Sequence, residues 1–244
     1  MASGAVLSTE KLNAGYGRFH ILFDIDIDVA EREIFIIVGP NGSGKSTLLK
    51  TLFGLTKVYS GKIHYRGKDI TKLPAHARAK IGLAYLPQVG NVFAELTVEE
   101  NLRMAGYTLR KEEVEERTRE VLEMFPFLKE KLRAKAKTLS GGQRQLLAMA
   151  MSLIRQPELL MFDEPTAGLS PLAAKEVVDK IVWLRRELGK TIILVEQNAR
   201  LALEIGDRAV LLVSGRIAYK GPARDLLEDE ELGSRYLGLK SVGR

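Results

Sequence analysis

The chain begins with a long stretch in which apolar and polar side chains alternate, residues 5–38, and the last part of that stretch, residues 34–38, is continuously apolar. Alternation is typical of a strand with one buried face, whereas a short unbroken apolar run is typical of a strand that is covered on both faces. The pattern therefore predicts antiparallel edge strands that lead into a buried strand.

Two further apolar runs, residues 159–162 and 191–195, predict buried strands much later in the chain. The segment between them, residues 171–188, has its apolar side chains at helical spacing, namely Val177, Val178, Ile181, Val182 and Leu184. A strand, a helix and a second strand in this order form a βαβ unit, in which the two strands are parallel. We therefore predict that these strands belong to a parallel sheet.

Helical spacing dominates the middle of the chain, residues 92–155. Within this block we predict helices over residues 97–108, 111–125 and 129–137, and a fourth helix after Ser140. The block is predicted to be an inserted helical subdomain, which divides the remaining core into residues 1–91 and residues 156–244. The end of that core is predicted to hold short strands and then helices, over residues 209–213, 216–220, 224–228 and 231–237.

Composition narrows the class of protein. The chain has 244 residues, of which 45% are hydrophobic, so it can bury a sizeable core. Its apolar runs are far shorter than the roughly 20 residues of a membrane-spanning helix, and its first residues lack the basic start and apolar stretch of a secretory signal. We therefore expect a cytosolic protein. Cysteine is absent and the three histidines are scattered, which argues against disulfides, thiol chemistry and a histidine metal cluster.

The net charge of +6 hardly alters these expectations about the class of protein. A basic protein can attract nucleic acid or an anionic membrane surface. The basic residues, however, are interspersed with acids, as in residues 110–117, and such a run is more typical of a solvated helix face. We therefore predict no nucleic-acid partner.

A glycine-rich loop follows the apolar run of residues 34–38 and precedes a helical segment. It matches the G-x-x-x-x-G-K-S pattern of a phosphate-binding loop. Its glycines let successive backbone N–H groups point at phosphates, Lys45 adds a positive charge for the β- and γ-phosphates, and Ser46 supplies a ligand for Mg²⁺. The predicted ATP-binding residues of the loop are Gly39, Asn41, Gly42, Ser43, Gly44, Lys45, Ser46 and Thr47.

Two carboxylates, Asp163 and Glu164, end the strand predicted at residues 159–162 and form a Walker B pattern. Two acids after an apolar strand are costly unless a cation or a reaction requires them. Because neighbouring strand residues point in opposite directions, the two side chains have different tasks. We predict that Asp163 binds Mg²⁺ through water and that Glu164 activates or orients the attacking water.

The segment from Leu139 to Gln143 reads Leu-Ser-Gly-Gly-Gln, a sequence that ordinary core packing does not require. Ser140 can cap the helix that follows, while Gly141 and Gly142 leave the first amide groups of that helix unshielded. A bare helix N-terminus attracts anions, and the serine hydroxyl adds one more donor. We therefore predict that this pentapeptide binds the γ-phosphate of a nucleotide.

Together, the glycine-rich loop, the Asp163 and Glu164 pair and the pentapeptide resemble the motifs of ATP-binding cassette (ABC) ATPases. The resemblance covers nearly the whole chain. It implies an α/β fold of the P-loop NTPase (RecA-like) class, with a mixed sheet, an N-terminal antiparallel β subdomain and an inserted helical subdomain. It also implies ATP hydrolysis with ATP and Mg²⁺. In that family the pentapeptide, here Ser140, Gly141, Gly142 and Gln143, serves the nucleotide of the opposite subunit, so one chain cannot complete its own site.

The resemblance assigns roles to two further residues. Tyr16 lies in a glycine turn where ABC ATPases place an aromatic ring against adenine, and Gln88 resembles a glutamine that contacts Mg²⁺ while its loop contacts a membrane partner. The implied metal site therefore consists of Ser46, Gln88 and Asp163. A tyrosine in a turn and a glutamine after a strand also occur without such roles.

Two positions depart from the family pattern. Ser170 stands where many members have an aspartate, and Gln197 stands where most members have a switch histidine. A glutamine amide donates a hydrogen bond to a phosphate but cannot take up a proton. We hypothesise that Gln197 is a positioning donor in catalysis and that Glu164 is the sole base.

Three segments, residues 69–76, 93–102 and 195–198, resemble the second ATPase subunit of branched-chain amino acid importers. This implies, as partners, a second cassette, integral membrane permease subunits and an extracytoplasmic solute-binding protein. It also implies a cytoplasmic protein that is peripheral on the inner face of the cell membrane. Gln88 departs from this subfamily, in which glutamate is frequent, so other solute importers stay open.

Rival interpretations come from other classes of ATPase. A cytosolic cassette that acts as an assembly scaffold or in translation is the main alternative, although translation cassettes usually come two to a chain. DNA-repair ATPases carry the pentapeptide as well, but long coiled coils separate it from their phosphate-binding loop, and no sustained heptads occur here. A P-loop kinase or GTPase does not need the pentapeptide.

Overall fold

The computed structural model describes residues 4–238, which form two sheets. The first sheet is antiparallel and consists of β1 (Ala5–Tyr16), β2 (Phe19–Ile25), β3 (Asp28–Ala30), β5 (Lys57–Tyr65) and β6 (Lys68–Asp69). Its order is β2-β1-β5-β6, and β3 also pairs with β1. The antiparallel strands predicted at the start of the chain are thereby confirmed, but β1 is not an edge strand, because it pairs with β2, β3 and β5.

The second sheet is mixed and consists of β4 (Ile34–Val38), β7 (Leu83–Leu86), β8 (Leu159–Asp163), β9 (Thr191–Val195), β10 (Arg208–Val213) and β11 (Arg216–Pro222). Its order is β11-β10-β4-β9-β8-β7, and every neighbouring pair is parallel except β10 with β11. The predicted buried strands and βαβ unit are confirmed. The carboxyl ends of β4, β8 and β9 meet at one edge, where ligands of such sheets bind.

The side chains of β4 divide the core into two layers. Ile34, Ile36 and Val38 pack in a cluster with the helices of the middle and C-terminal parts of the chain. Phe35 and Ile37 point to the other face and pack with the antiparallel sheet and the first helix. Since both faces of β4 are covered, all its positions are buried, which explains the continuous apolar run.

The helices are α1 (Lys45–Phe53), α2 (Ala75–Lys80), α3 (Val98–Ala105), α4 (Lys111–Met124), α5 (Phe127–Glu130), α6 (Gly141–Leu153), α7 (Pro171–Leu188), α8 (Ala199–Ile205), α9 (Ala223–Glu228) and α10 (Glu230–Leu232), with a 3₁₀ turn at Ala136–Thr138 and a π-helical segment at Gly233–Leu237. The helix predicted over residues 171–188 is confirmed. It begins at Pro171 because Ser170 caps it and proline suits the first helical position. Within residues 4–238, no helix is long and apolar enough to cross a bilayer.

The helix predicted over residues 129–137 is wrong. Only the end of α5 and the 3₁₀ turn are helical in this segment. The rest runs beside residues 94–99, and the N–H group of Ala136 donates to the carbonyl oxygen of Leu96 at 2.9 Å. Since these bonds join parts of the chain that are distant in sequence, local spacing gives no sign of them.

Arg78 ties the end of α1 to the segment after β6. Its side chain is almost fully buried and donates hydrogen bonds of 2.7–2.9 Å to the carbonyl oxygens of Thr51, Leu52, Ile70, Thr71 and Leu73. Burial lowers the pKa of Arg78 to about 10, so the group stays charged at neutral pH. Two of these carbonyls lie in the last turn of α1, where the helix dipole favours a positive charge. Arg78 therefore fixes the far end of the helix that begins at the glycine-rich loop.

Candidate active site

The glycine-rich loop joins the end of β4 to the start of α1. Gly39, Gly42 and Gly44 have φ angles of 151°, 76° and 102°, which residues with a side chain rarely adopt. A Cβ atom at Gly39 would also overlap the carbonyl oxygen of Leu212. The loop therefore curls closely around the start of α1, where the first N–H groups have no partners within the helix and attract anions.

Two polar side chains of this loop fit an anionic ligand. Lys45 Nζ donates to the carbonyl oxygens of Gly39 and Pro40 at 2.9 and 3.1 Å. Burial lowers the pKa of Lys45, although nearby carboxylates oppose that effect. The hydroxyl of Ser43 is buried and has no hydrogen-bond partner among the described residues. A buried ammonium and an unpaired hydroxyl are both costly, and a phosphate supplies acceptors for both.

Asp163 and Glu164, at the end of β8, bind different partners. The Ser46 hydroxyl donates to Oδ1 of Asp163 at 2.8 Å, and the Tyr85 hydroxyl donates to Oδ2 at 2.9 Å. Gln88 Nε2 donates to Oε2 of Glu164 at 3.0 Å. Four residues that the motifs single out are thus brought together at the edge of the mixed sheet.

Tyr85 was not found by sequence reasoning. It lies on β7, which pairs with β8, and its ring centroid is 5.7 Å from that of Phe53. Burial raises the pKa of Tyr85 further above its usual range, so the hydroxyl keeps its proton and donates to Asp163. The only signal in the sequence is a tyrosine in an apolar strand, because a buried phenol needs a hydrogen-bond partner.

The oxygen atoms at this edge fit a magnesium ion. The Ser46 hydroxyl, the Asp163 carboxylate and the Gln88 amide oxygen are donors of the hard type that Mg²⁺ binds. Ser46 and Asp163 are already in contact, and Gln88 uses its amide nitrogen for Glu164, which leaves its oxygen for another partner. The residues present therefore fit Mg²⁺, and the metal site predicted from the sequence stays a prediction.

Tyr16 lies where β1 turns into β2, and the residue is 39% exposed. This hairpin packs on the glycine-rich loop, since a Cβ atom at Gly44 would lie 3.0 Å from Leu22 and 3.4 Å from Ile21 on β2. An exposed ring beside a phosphate-binding loop is suited to stack on a base. The adenine contact of Tyr16 remains a prediction.

The two departures from the family pattern, Ser170 and Gln197, are both exposed at the surface. Gln197 follows β9, is exposed, and lines a cleft together with residues 166–169, the segment that follows β8. Among the hydrogen bonds described for residues 4–238, its side-chain amide makes none. Ser170 caps α7 by accepting the N–H group of Ala173 at 3.4 Å. Ser170 therefore has a structural task here, whereas the side chain of Gln197 is available to a ligand.

Ser140 caps α6, as the sequence predicts. Its hydroxyl oxygen accepts a hydrogen bond from the N–H group of Gln143 at 3.2 Å. In return, Oε1 of Gln143 accepts a hydrogen bond from the N–H group of Ser140 at 3.1 Å. This capping box leaves the hydroxyl hydrogen of the exposed Ser140 free to donate. Gly142 is buried against α7, and a Cβ atom there would lie 2.8 Å from the Cβ of Ala173. Packing therefore requires this glycine, in addition to the exposure of amide groups argued from the sequence.

These features define a class of protein. A glycine-rich loop between a central parallel strand and a helix, a serine and an aspartate that meet beside it, and a second carboxylate are the parts of a P-loop nucleotide-binding ATPase. The family model for the ABC transporter matches residues 22–167. The chain belongs to the ABC transporter family and is an ATP-hydrolysing subunit of that kind.

Two relatives and one solved structure extend this result to almost the whole chain. The chain is 56% identical to the probable branched-chain amino acid transport ATP-binding protein LivF of Archaeoglobus fulgidus, over 96% of this chain and 99% of that protein. It is 41% identical to the high-affinity branched-chain amino acid transport ATP-binding protein BraG of Pseudomonas aeruginosa, over 96% and 100%. The ADP conformation of an ATP-binding cassette of an ABC transporter matches with a TM-score of 0.86 and 27% identity, over 95% of this chain and 98% of that chain. The predicted family, α/β fold and ATPase activity are confirmed.

Proposed function

We propose that this chain binds and hydrolyses ATP to drive the import of branched-chain amino acids through separate membrane permease subunits. The proposal of ATP hydrolysis rests on two hydrogen bonds at the sheet edge. The Ser46 hydroxyl donates to Asp163, and the Gln88 side-chain amide donates to Glu164. The names of the two relatives, which both describe branched-chain amino acid transport, support the choice of cargo.

ATP binds at the carboxyl edge of the mixed sheet. The N–H groups of the glycine-rich loop and the ammonium of Lys45 hold the β- and γ-phosphates, and Tyr16 stacks on adenine. Ser46, Gln88 and Asp163 would hold Mg²⁺, which would neutralise charge on the phosphates. Lys45 now donates to two backbone carbonyls of its own loop, and these bonds are exchanged for phosphate oxygens on binding.

A second copy or a second cassette completes the site. Ser140, Gly141, Gly142 and Gln143 of one chain cover the γ-phosphate that is held by Lys45 of the other. The exposed helix start supports this arrangement, because the capping box leaves the hydroxyl hydrogen of Ser140 to a ligand. ATP then acts as a removable link between two chains, and its greater affinity for the closed pair supplies the work that moves the permease.

Hydrolysis requires Glu164 to meet the attacking water. Its carboxylate now accepts a hydrogen bond from the side-chain amide of Gln88, and loss of that bond would free Glu164 for the water. Gln197 donates to the γ-phosphate and does not take up the proton. Conversion of Gln197 to histidine is expected to leave hydrolysis in place, and complete loss of hydrolysis in that variant would contradict this division of roles.

The proposed assembly includes an extracytoplasmic solute-binding protein and places the chain on the inner face of the cell membrane. Its test is uptake of labelled leucine by vesicles that contain the chain with its native permease subunits. Uptake is expected to require ATP and to stop in Glu164→Gln, while Glu204→Gln, an exposed glutamate on α8, transports as the wild type does. Normal uptake in Glu164→Gln would contradict the mechanism. Purification without any integral membrane protein would favour the scaffold alternative.

A further inference from the structure

Glu196, the residue between β9 and Gln197, is almost completely buried, with 2% of its surface exposed. Its Oε1 accepts the N–H group of Thr166 at 3.0 Å, and its Oε2 accepts the N–H group of Gln197 at 3.3 Å. Thr166 belongs to the turn that follows Glu164 at the end of β8. One buried carboxylate therefore connects that turn to the end of β9.

The turn holds Glu164 in an unusual backbone conformation. The φ angle of Glu164 is 48°, in the left-handed region, which costs an L-residue about 1 kcal/mol or more. The N–H group of Glu164 donates to the carbonyl oxygen of Val195 at 2.9 Å, and its own carbonyl accepts the N–H group of Ala167 at 3.1 Å. Such strain persists only where neighbouring groups fix the backbone. Here two consecutive residues fix the backbone, namely Val195 at the end of β9 and Glu196 just after it.

We propose that Glu196 is a positioning residue for ATP hydrolysis, which aims the carboxylate of Glu164 by holding the turn after β8 against the end of β9. This inference rests on the task that the proposed function gives to Glu164. The same carboxylate fixes the backbone of Gln197, the residue that replaces the switch histidine. One buried side chain thus bonds both to the turn that carries Glu164, which is proposed to meet the water, and to Gln197, which is proposed to donate to the γ-phosphate.

A carboxylate at this place is costly, and the two N–H groups that it binds account for its presence. Burial raises the pKa of Glu196 to about 7, and the charge of Glu164 contributes to the rise, so an ionised group here is costly. A carboxylate, however, offers two acceptor oxygens at fixed separation, which the N–H groups of Thr166 and Gln197 both require. A neutral amide of the same size offers only one.

The test compares Glu196→Gln, which keeps one acceptor, with Glu196→Ala, which removes both. We expect kcat for ATP hydrolysis to fall about tenfold in Glu196→Gln and further in Glu196→Ala, with KM for ATP within about twofold of the wild type. Glu204→Gln is the matched control and should change neither constant. Binding of a fluorescent ATP analogue and the thermal midpoint are measured for each variant. Glu196→Gln is expected to fold, since it removes a buried charge and preserves the size of the side chain.

A double variant separates this inference from the proposed function. If Glu196 acts through Glu164, adding Glu196→Gln to Glu164→Gln should change the residual rate by less than about twofold. Wild-type turnover in Glu196→Gln, a rise of KM alone, or an equal tenfold loss in the Glu164→Gln background would overturn the inference and leave Glu164 in its task. Wild-type turnover in Glu164→Gln would overturn the task of Glu164, and the inference with it.

Discussion

Gly142 is a position at which helix propensity and packing predict opposite effects of the same substitution. On propensity alone, alanine in place of a helical glycine stabilises a protein by about 1 kcal/mol. The structure predicts the reverse, because the new Cβ would lie 2.8 Å from the Cβ of Ala173. Carbon atoms in contact usually stay about 3.5–4.0 Å apart, and neither of these atoms moves without its backbone. Overpacking costs about 1–3 kcal/mol, and a clash between two atoms fixed to the backbone falls in the upper half of that range. After the propensity gain of about 1 kcal/mol, we expect Gly142→Ala to lower the free energy of unfolding by about 1–2 kcal/mol.

The assay is urea unfolding without nucleotide, which keeps any effect on ATP binding out of the measurement. Gly141→Ala is the matched control, because its Cβ would meet only the end of the Leu169 side chain, at 3.1 Å, and that side chain can move. Adding Ala173→Gly to Gly142→Ala should restore most of the lost stability, with a coupling energy of about 1 kcal/mol or more. A Gly142→Ala protein as stable as the wild type would refute the packing argument.

Three further predictions each concern one side chain. Tyr85→Phe removes a donor to Asp163, so the Mg²⁺ concentration needed for half-maximal binding of a fluorescent ATP analogue should rise about tenfold; an unchanged Mg²⁺ titration would contradict this. Arg78→Lys should lower the free energy of unfolding by about 2–3 kcal/mol, since an ammonium cannot serve five carbonyls at once, and unaltered urea unfolding would count against it. The folded state holds the Glu196 proton up to a pKa of about 7, against 4.5 for the free side chain, so wild-type stability is lost as the pH rises through that window. Glu196→Gln, compared with the wild type by urea unfolding, should therefore gain about 3 kcal/mol between these pH values, and a constant difference would contradict this.

Elements with strong local signals were predicted well, and a segment whose backbone bonds to a distant part of the chain was not. The bounds of α7 follow from Ser170 at its cap and Pro171 in its first turn, which are adjacent to the helix in sequence. The segment at residues 129–137 has helical spacing but satisfies its backbone on residues 94–99. Spacing reports which faces are apolar, and it does not report which distant carbonyl an N–H group meets.

The residues of the candidate site show the same difference: some are evident from the sequence, and others only from the structure. The glycine-rich loop and the carboxylates after β8 are visible in the sequence because their chemistry needs particular residues at fixed spacing. Tyr85 and Glu196 act on residues of neighbouring strands, so only strand pairing shows that they face Asp163 and Thr166. A buried tyrosine or glutamate marks an unmet need for a partner, but the sequence does not identify that partner.

The central claim is that each ATP site is built from two chains, and mixing two inactive variants tests it most directly. Lys45→Ala disables the phosphate-binding loop, and Ser140→Arg blocks the exposed helix start of the pentapeptide. In a mixed dimer, Lys45 of one chain still faces Ser140 of the other at one of the two sites. We predict that each variant alone is inactive and that an equal mixture, at a protein concentration that supports dimers, recovers about a quarter of wild-type ATP hydrolysis. If the wild-type chain alone hydrolyses ATP, a mixture no more active than its components would contradict the claim.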